Sequence, residues 1–207
     1  MAKNKQVNIT VGADTKKAKT ALDEIKGSLT GLKSFALSAA GAFGIGFGMS
    51  AVIGQAKKIV NSLDEIAASS ANLGVSAEYF QKLDFAASQT NAEIGDVFNA
   101  FAKLKKLTGE FIAGEATATD IFSRLGLKKE DVQNLAPQEL FDRVNAAISS
   151  ISNEYEKSRL QADIYGKSAE KLNNFLREYK GLGQELSDKG AVISDADVKA
   201  ADDLNDA

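Results

Sequence analysis

An all-α protein of long and short helices, opened by one short β-strand, is what this chain of 207 residues predicts. Three observations carry that expectation. Apolar residues recur at three- and four-residue spacings over most of the chain, the repeat of a helix face. Strand-like alternation occurs at one place, residues 6–12. The stops between periodic stretches are glycines and capping residues, with a single proline in the whole chain. Apolar residues make up 44% and charged residues 26%, enough for a sizeable core in one or two domains.

The strand comes first, with Val7, Ile9 and Val11 on one face and Gly12 closing it. Asp14 is placed to cap a helix in which Ala18, Leu22, Ile25, Leu29 and Leu32 follow at coiled-coil spacing. Leu22, Ile25, Leu29 and Leu32 form a self-association seam if the helix pairs with a copy of itself. Ordinary packing onto the rest of the chain fits the same pattern. Residues 1–33 hold seven Lys against three acidic residues. The first residues are too polar for a secretory leader, so a cytoplasm-like compartment is expected.

Residues 34–56 then carry no charge at all and include five glycines. As a helix this run would span roughly 35 Å, enough to cross a bilayer core. Gly44 and Gly48 form a GxxxG pair, beside Phe43, Ile45 and Phe47, which marks a face for close helix packing or for membrane contact. Three readings fit: a buried self-packing helix, a conditionally membrane-active segment, or a constitutive anchor. Gly46-x-Gly48-x-x-Ala51 matches a loose dinucleotide fingerprint, with Asp64 downstream. No strand precedes it, so nucleotide binding is not expected.

From residue 57 onward the chain reads as consecutive helices. Ile59, Val60, Leu63, Ile66 and Ala67 form a stripe running to Leu73, stopped by Gly74. Ser76 caps the next helix, with Val75 and Phe80 as its hydrophobic staple and Phe80, Leu83 and Ala87 on its buried face. A break near Thr90-Asn91 leads to a helix carrying Ile94, Val97, Phe98, Phe101, Leu104 and Leu107, and Gly109 and Gly114 flank Phe111-Ile112. A short helix holds Ile121, Phe122 and Leu125 before Gly126. Pro137 suits a first helical turn. Phe141, Val144, Ile148, Ile151 and Tyr155 then give a second seam, continuing toward Leu160 and Ile164. The last helix of this stretch carries Leu172, Phe175, Leu176 and Tyr179 and is expected to break at Gly181-Leu182-Gly183. Beyond it Ser194-Asp195 caps a helix over 196–204 in an acidic tail. The chain stops inside that pattern, which predicts a truncated chain. Four regions result: strand and amphipathic helix (1–33), uncharged apolar segment (34–57), helical domain (58–180) and acidic tail (181–207).

The composition removes many chemistries. There is no Cys, His or Trp. Thiolate zinc sites, disulfides, cysteine nucleophiles and imidazole bases are therefore absent. Asp64-Glu65, Glu130-Asp131 and Asp202-Asp203 are sequence neighbours, which point about 100° apart on a helix and do not converge on a substrate; Glu154 and Glu156 also fail to converge. Lys103, Lys105 and Lys106 could meet phosphate but read as a solvated face. Net charge is -3, which does not suggest a nucleic-acid surface. No enzyme, catalytic residue, metal ligand or cofactor is expected, and neither is a small-molecule substrate.

Four stretches together resemble the N-terminal part of bacteriophage tail tape measure proteins. They are the strand and Ala/Leu-spaced helix of Val7–Leu32, the uncharged run 34–56, the block Leu73-Gly-Val-Ser-Ala-Glu-Tyr-Phe-Gln-Lys-Leu-Asp-Phe-Ala-Ala-Ser-Gln-Thr90 and the element Ile164-Tyr-Gly-Lys-Ser-Ala-Glu-Lys-Leu172. Phe101-Ala-Lys-Leu104 and Phe122-Ser-Arg-Leu-Gly-Leu127 follow the third. Tyr165 and Ala169 stand where the family's pattern has Phe and Gly. The resemblance implies a structural protein that occupies the tail tube lumen, templates tube assembly and sets tail length, after its synthesis in the host cytoplasm. It implies tail tube protein and tail assembly chaperones as partners, self-association, and apolar contact with the host membrane on ejection. As one helix the whole chain would measure about 310 Å, short for a ruler. The many caps and stops of 57–180 suit a compact unit. The alternatives are a membrane-active or pore-forming helical protein working through residues 34–56, and a cytoplasmic helical scaffold.

Overall fold

A computed structural model describes the backbone of residues 52–205 and the side chains of 63–200, 202 and 203. The expected strand at 6–12, the seam Leu22, Ile25, Leu29 and Leu32, and the packing residues Phe43, Gly44, Ile45, Phe47 and Gly48 lie outside the described residues. Within them there are ten helices and no strand, so this part is all-α. In chain order they are α1 (Val52–Leu73), α2 (Ala77–Gln89), α3 (Ile94–Ala113), α4 (Ala116–Arg124), α5 (Lys129–Val132), α6 (Pro137–Ser149), α7 (Glu154–Tyr165), α8 (Ser168–Lys171), α9 (Asn173–Asp188) and α10 (Asp195–Asn205).

Local chemistry sets most of these boundaries. At the end of α1 the Gly74 N–H donates to the Ala71 carbonyl and the Val75 N–H to the Ser70 carbonyl, the bonds of a left-handed helix stop. Ser76 Oγ then accepts from the Tyr79 N–H at 3.1 Å and opens α2, while Val75 and Phe80 both pack into the core. Pro137 occupies the first turn of α6, and the Glu139 carboxylate accepts from the Ala136 N–H. Asn153 caps α7 by accepting from the N–H groups of Tyr155 and Glu156.

The core is organised around α3, which touches α2, α4, α6, α7 and α8. Phe101 of α3 stacks on Phe141 of α6 with ring centroids 4.3 Å apart. Phe141 also meets Tyr165 of α7 and Tyr179 of α9. Phe111 and Phe122 form a second stack at 4.4 Å that pins α4 to α3. Such pairs stabilise beyond their buried area by about 0.5–1.5 kcal/mol each. α9 lies along α2, and α10 lies along α1.

Four expectations change. The helix of 94–107 does not end before Gly109: α3 continues to Ala113 because Leu107, Thr108 and Phe111 extend its buried face. The seam from Phe141 to Tyr155 is interrupted, since α6 stops at Ser149 and Asn153 starts a new helix; Tyr155 is 91% exposed and packs in no seam. The stretch between Leu127 and Leu135 contains the short helix α5. Finally, α9 runs unbroken through Gly181-Leu182-Gly183, so the expected boundary at 180/181 falls inside a helix. Gly183 is buried against α2, where an added Cβ would lie 3.0 Å from Lys82 Cβ. It permits a close helix crossing and does not stop the helix. The acidic tail joins the fold through buried Leu186, Ala191, Ile193 and Val198.

Candidate functional site

Leu22, Ile25, Leu29 and Leu32 of the first seam, and Phe43, Gly44, Ile45, Phe47 and Gly48 of the apolar segment, lie outside the described residues. Two other clusters concentrate polar groups in the folded part.

The first is a clamp on Asp142 of α6. The Tyr79 hydroxyl of α2 donates to Asp142 Oδ1 at 2.7 Å, and the Tyr179 hydroxyl of α9 donates to the same oxygen at 2.8 Å. Lys180 Nζ sits 3.4 Å from Oδ2. One turn on, Asn145 is buried; it accepts from the Tyr165 hydroxyl at 3.0 Å and donates to the Phe141 carbonyl. Burial pushes all three tyrosine hydroxyls above their ordinary value, and the charge of Asp142 adds to the effect. They therefore stay neutral and donate at neutral pH. This arrangement ties α2, α6, α7 and α9 together, and it disfavours a tyrosinate base or nucleophile there.

The second cluster is the corner between α7 and α8. Gly166 has φ 68° and ψ −143°, a conformation restricted to glycine. Lys103 of α3 lies over it, with Nζ 2.8 Å from where a Cβ would project. Around them Ser158, Gln161, Lys167, Glu170 and Asn173 line an open groove of about 600 Å³. Behind the corner Asp96 accepts from Ser168 Oγ at 3.2 Å and from Lys171 Nζ at 3.1 Å, fixing α8 on the start of α3.

The Lys103, Lys105, Lys106 group divides between two surfaces. Lys105 and Lys106 border another groove, about 510 Å³, with Leu73, Phe98, Phe101 and Pro137, and Lys106 pairs with Glu110. The neighbouring carboxylates take separate structural tasks. Asp131 caps α5 and pairs with Arg143, while Glu154 pairs with Lys157. Among the described residues no group of three or more Asp or Glu side chains is arranged to hold a metal ion, and no helix is long and apolar enough to cross a membrane.

Sequence reading missed the role of Asp142, Asn145 and Gln81. A signal existed for the first two, because Tyr79, Tyr165 and Tyr179 have apolar neighbours at helical spacing and a buried phenol needs a hydrogen-bond partner. Compared with known proteins, the chain matches no family model, no curated protein and no solved structure.

Proposed function

We propose that this chain is the N-terminal portion of a bacteriophage tail tape measure protein, a structural component of the tail and not an enzyme. It acts inside the tube lumen, with tail tube protein and assembly chaperones as partners, and assembles in the host cytoplasm. The N-terminal strand, the seam of Leu22, Ile25, Leu29 and Leu32 and the apolar segment 34–56 belong to the same proposal, as the self-associating and membrane-contacting part.

The observation that carries the proposal is the order and spacing of four family-like blocks along nearly the whole chain. Two of them make good structural sense. The block 73–90 contains a helix stop, a cap and the buried face of α2. The block 164–172 contains buried Ile164, Tyr165, Ala169 and Leu172 around the glycine-only corner. Residues 52–205 would extend about 230 Å as one helix, whereas a packed unit of that many residues is about 40 Å across. A folded unit thus adds little length, which favours a terminal module over the ruler.

Immunogold labelling of residues 52–205 on purified tails tests this. One label cluster at a tail end is the expected result. Labels spread along the tail would return these residues to the ruler. Absence of the protein from tails would sink the phage reading, and flotation of the chain with liposomes would then test the membrane-active alternative.

A further inference from the structure

Beyond α9 the chain reverses at Gly190, which has φ 64° and open space where a Cβ would project. Its N–H donates to the Ser187 carbonyl at 2.9 Å. Residues 191–194 then carry no helix and pass beside α2, where Gln81 holds Ile193. The buried Gln81 side chain grips Ile193 by both backbone groups: Nε2 donates to the Ile193 carbonyl and Oε1 accepts from the Ile193 N–H, each at 2.9 Å. A neighbouring strand would pair a residue in this way. Two residues further on, two helix starts cap each other. The Glu78 N–H donates to Asp195 Oδ1 at 2.9 Å, and the Asp195 N–H donates to Glu78 Oε1 at 3.4 Å. Ile193 and Val198 meet Leu63 and Ala77 in a small apolar cluster of their own, joined to the main core through partly buried Ile66.

We propose that the groove between α1 and α2 is a docking site for a non-helical segment and its following helix, filled here by the chain's own residues 191–198, and that the same segment of a second copy can fill it. Gln81 reads only backbone, and the Glu78–Asp195 caps use groups that either copy supplies. Nothing in these contacts depends on which α9 the segment follows. Departure of the segment opens the small cluster and leaves the main core closed. The short tether keeps the segment at home, because it imposes an effective concentration on the order of mM. Straightening the hinge removes that advantage, the condition under which identical elements exchange between chains. The inference is independent of the proposed function.

The test is Gly190→Pro in the full chain. Proline holds φ near −65° and has no N–H, so it forbids both the reversal and the bond to Ser187. Light scattering should show a dimer with unchanged helix content by circular dichroism, and adding Gln81→Leu should return it to monomer. A monomeric Gly190→Pro chain, or a dimer that survives Gln81→Leu, overturns the proposal. Should Gly190→Pro fail to fold, a labelled peptide of residues 190–205 is titrated into the unaltered chain. Half-saturation is expected on the order of mM, set by competition with the tethered segment, and binding should disappear in Gln81→Leu. No binding in that range, or binding unaffected by Gln81→Leu, overturns it equally.

Discussion

Tyr79 and Asp142 are joined by a 2.7 Å hydrogen bond across a sequence separation of 63 residues. Tyr179 shares the same acceptor oxygen. Tyr79→Phe removes one donor and should lower unfolding free energy by about 1 kcal/mol, whereas Asp142→Ala strands two half-buried hydroxyls and should cost about 3 kcal/mol. Urea denaturation of both variants measures the difference. Because the two tyrosines share one oxygen, Tyr79→Phe and Tyr179→Phe should not add.

The same burial fixes the response to alkali. Tyr79, Tyr165 and Tyr179 keep their protons in the folded chain to higher pH than the ordinary value of 10.0. Above that value the unfolded chain loses protons that the folded chain retains. Stability is therefore present in full below about pH 10 and falls as pH rises beyond it. Tyrosinate absorbance from these three residues should appear together with loss of helicity. Ionisation of all three in a chain that stays helical would contradict the burial argument.

Gly166→Ala separates two penalties at one position. The backbone conformation alone should cost about 1–3 kcal/mol, and the new methyl group must also displace Lys103. Adding Lys103→Ala should recover the steric part and leave the backbone part. Full recovery in thermal melts would mean that the backbone can relax there.

Gly181 and Gly183 should respond oppositely to alanine. Both lie within α9, but a Cβ at 181 meets open space, while one at 183 crowds the Lys82 stem. Gly181→Ala should stabilise by about 1 kcal/mol through helix propensity. Gly183→Ala should destabilise, because α2 and α9 must move apart. Equal melting shifts for the two would refute the close crossing.

These glycines also show where sequence reasoning reaches its limit. Caps and stops were legible because they are local: Ser76, Pro137, Gly74 and Gly126 each act within a few residues. The buried faces of α2, α3, α6 and α9 follow from spacing alone, as Leu83, Phe101, Phe141 and Phe175 illustrate. A glycine that ends a helix and one that lets another helix approach look identical in sequence, and only the Lys82 stem beside Gly183 tells them apart. Long-range polar partners were similarly hidden. Nothing near Gln81 indicates that it binds Ile193, and although the buried phenols call for acceptors, their spacing does not single out Asp142 as the one they share. Tyr155 fitted the apolar spacing of α6 but belongs to another helix, because Asn153 restarted the ladder between them.

The continuity of α1 has a mechanical consequence. Its backbone is helical from Val52 to Leu73 without interruption, and Leu63, Ile66 and Leu73 pack its C-terminal half into the fold. A helix of that length is about 33 Å long. A continuous helix is stiff, so a tilt of about 10° about Leu63 corresponds to a shift of roughly 3 Å in the backbone at Val52. Displacement of the backbone at residue 52 is therefore carried along α1 to its contacts with α10 and α2.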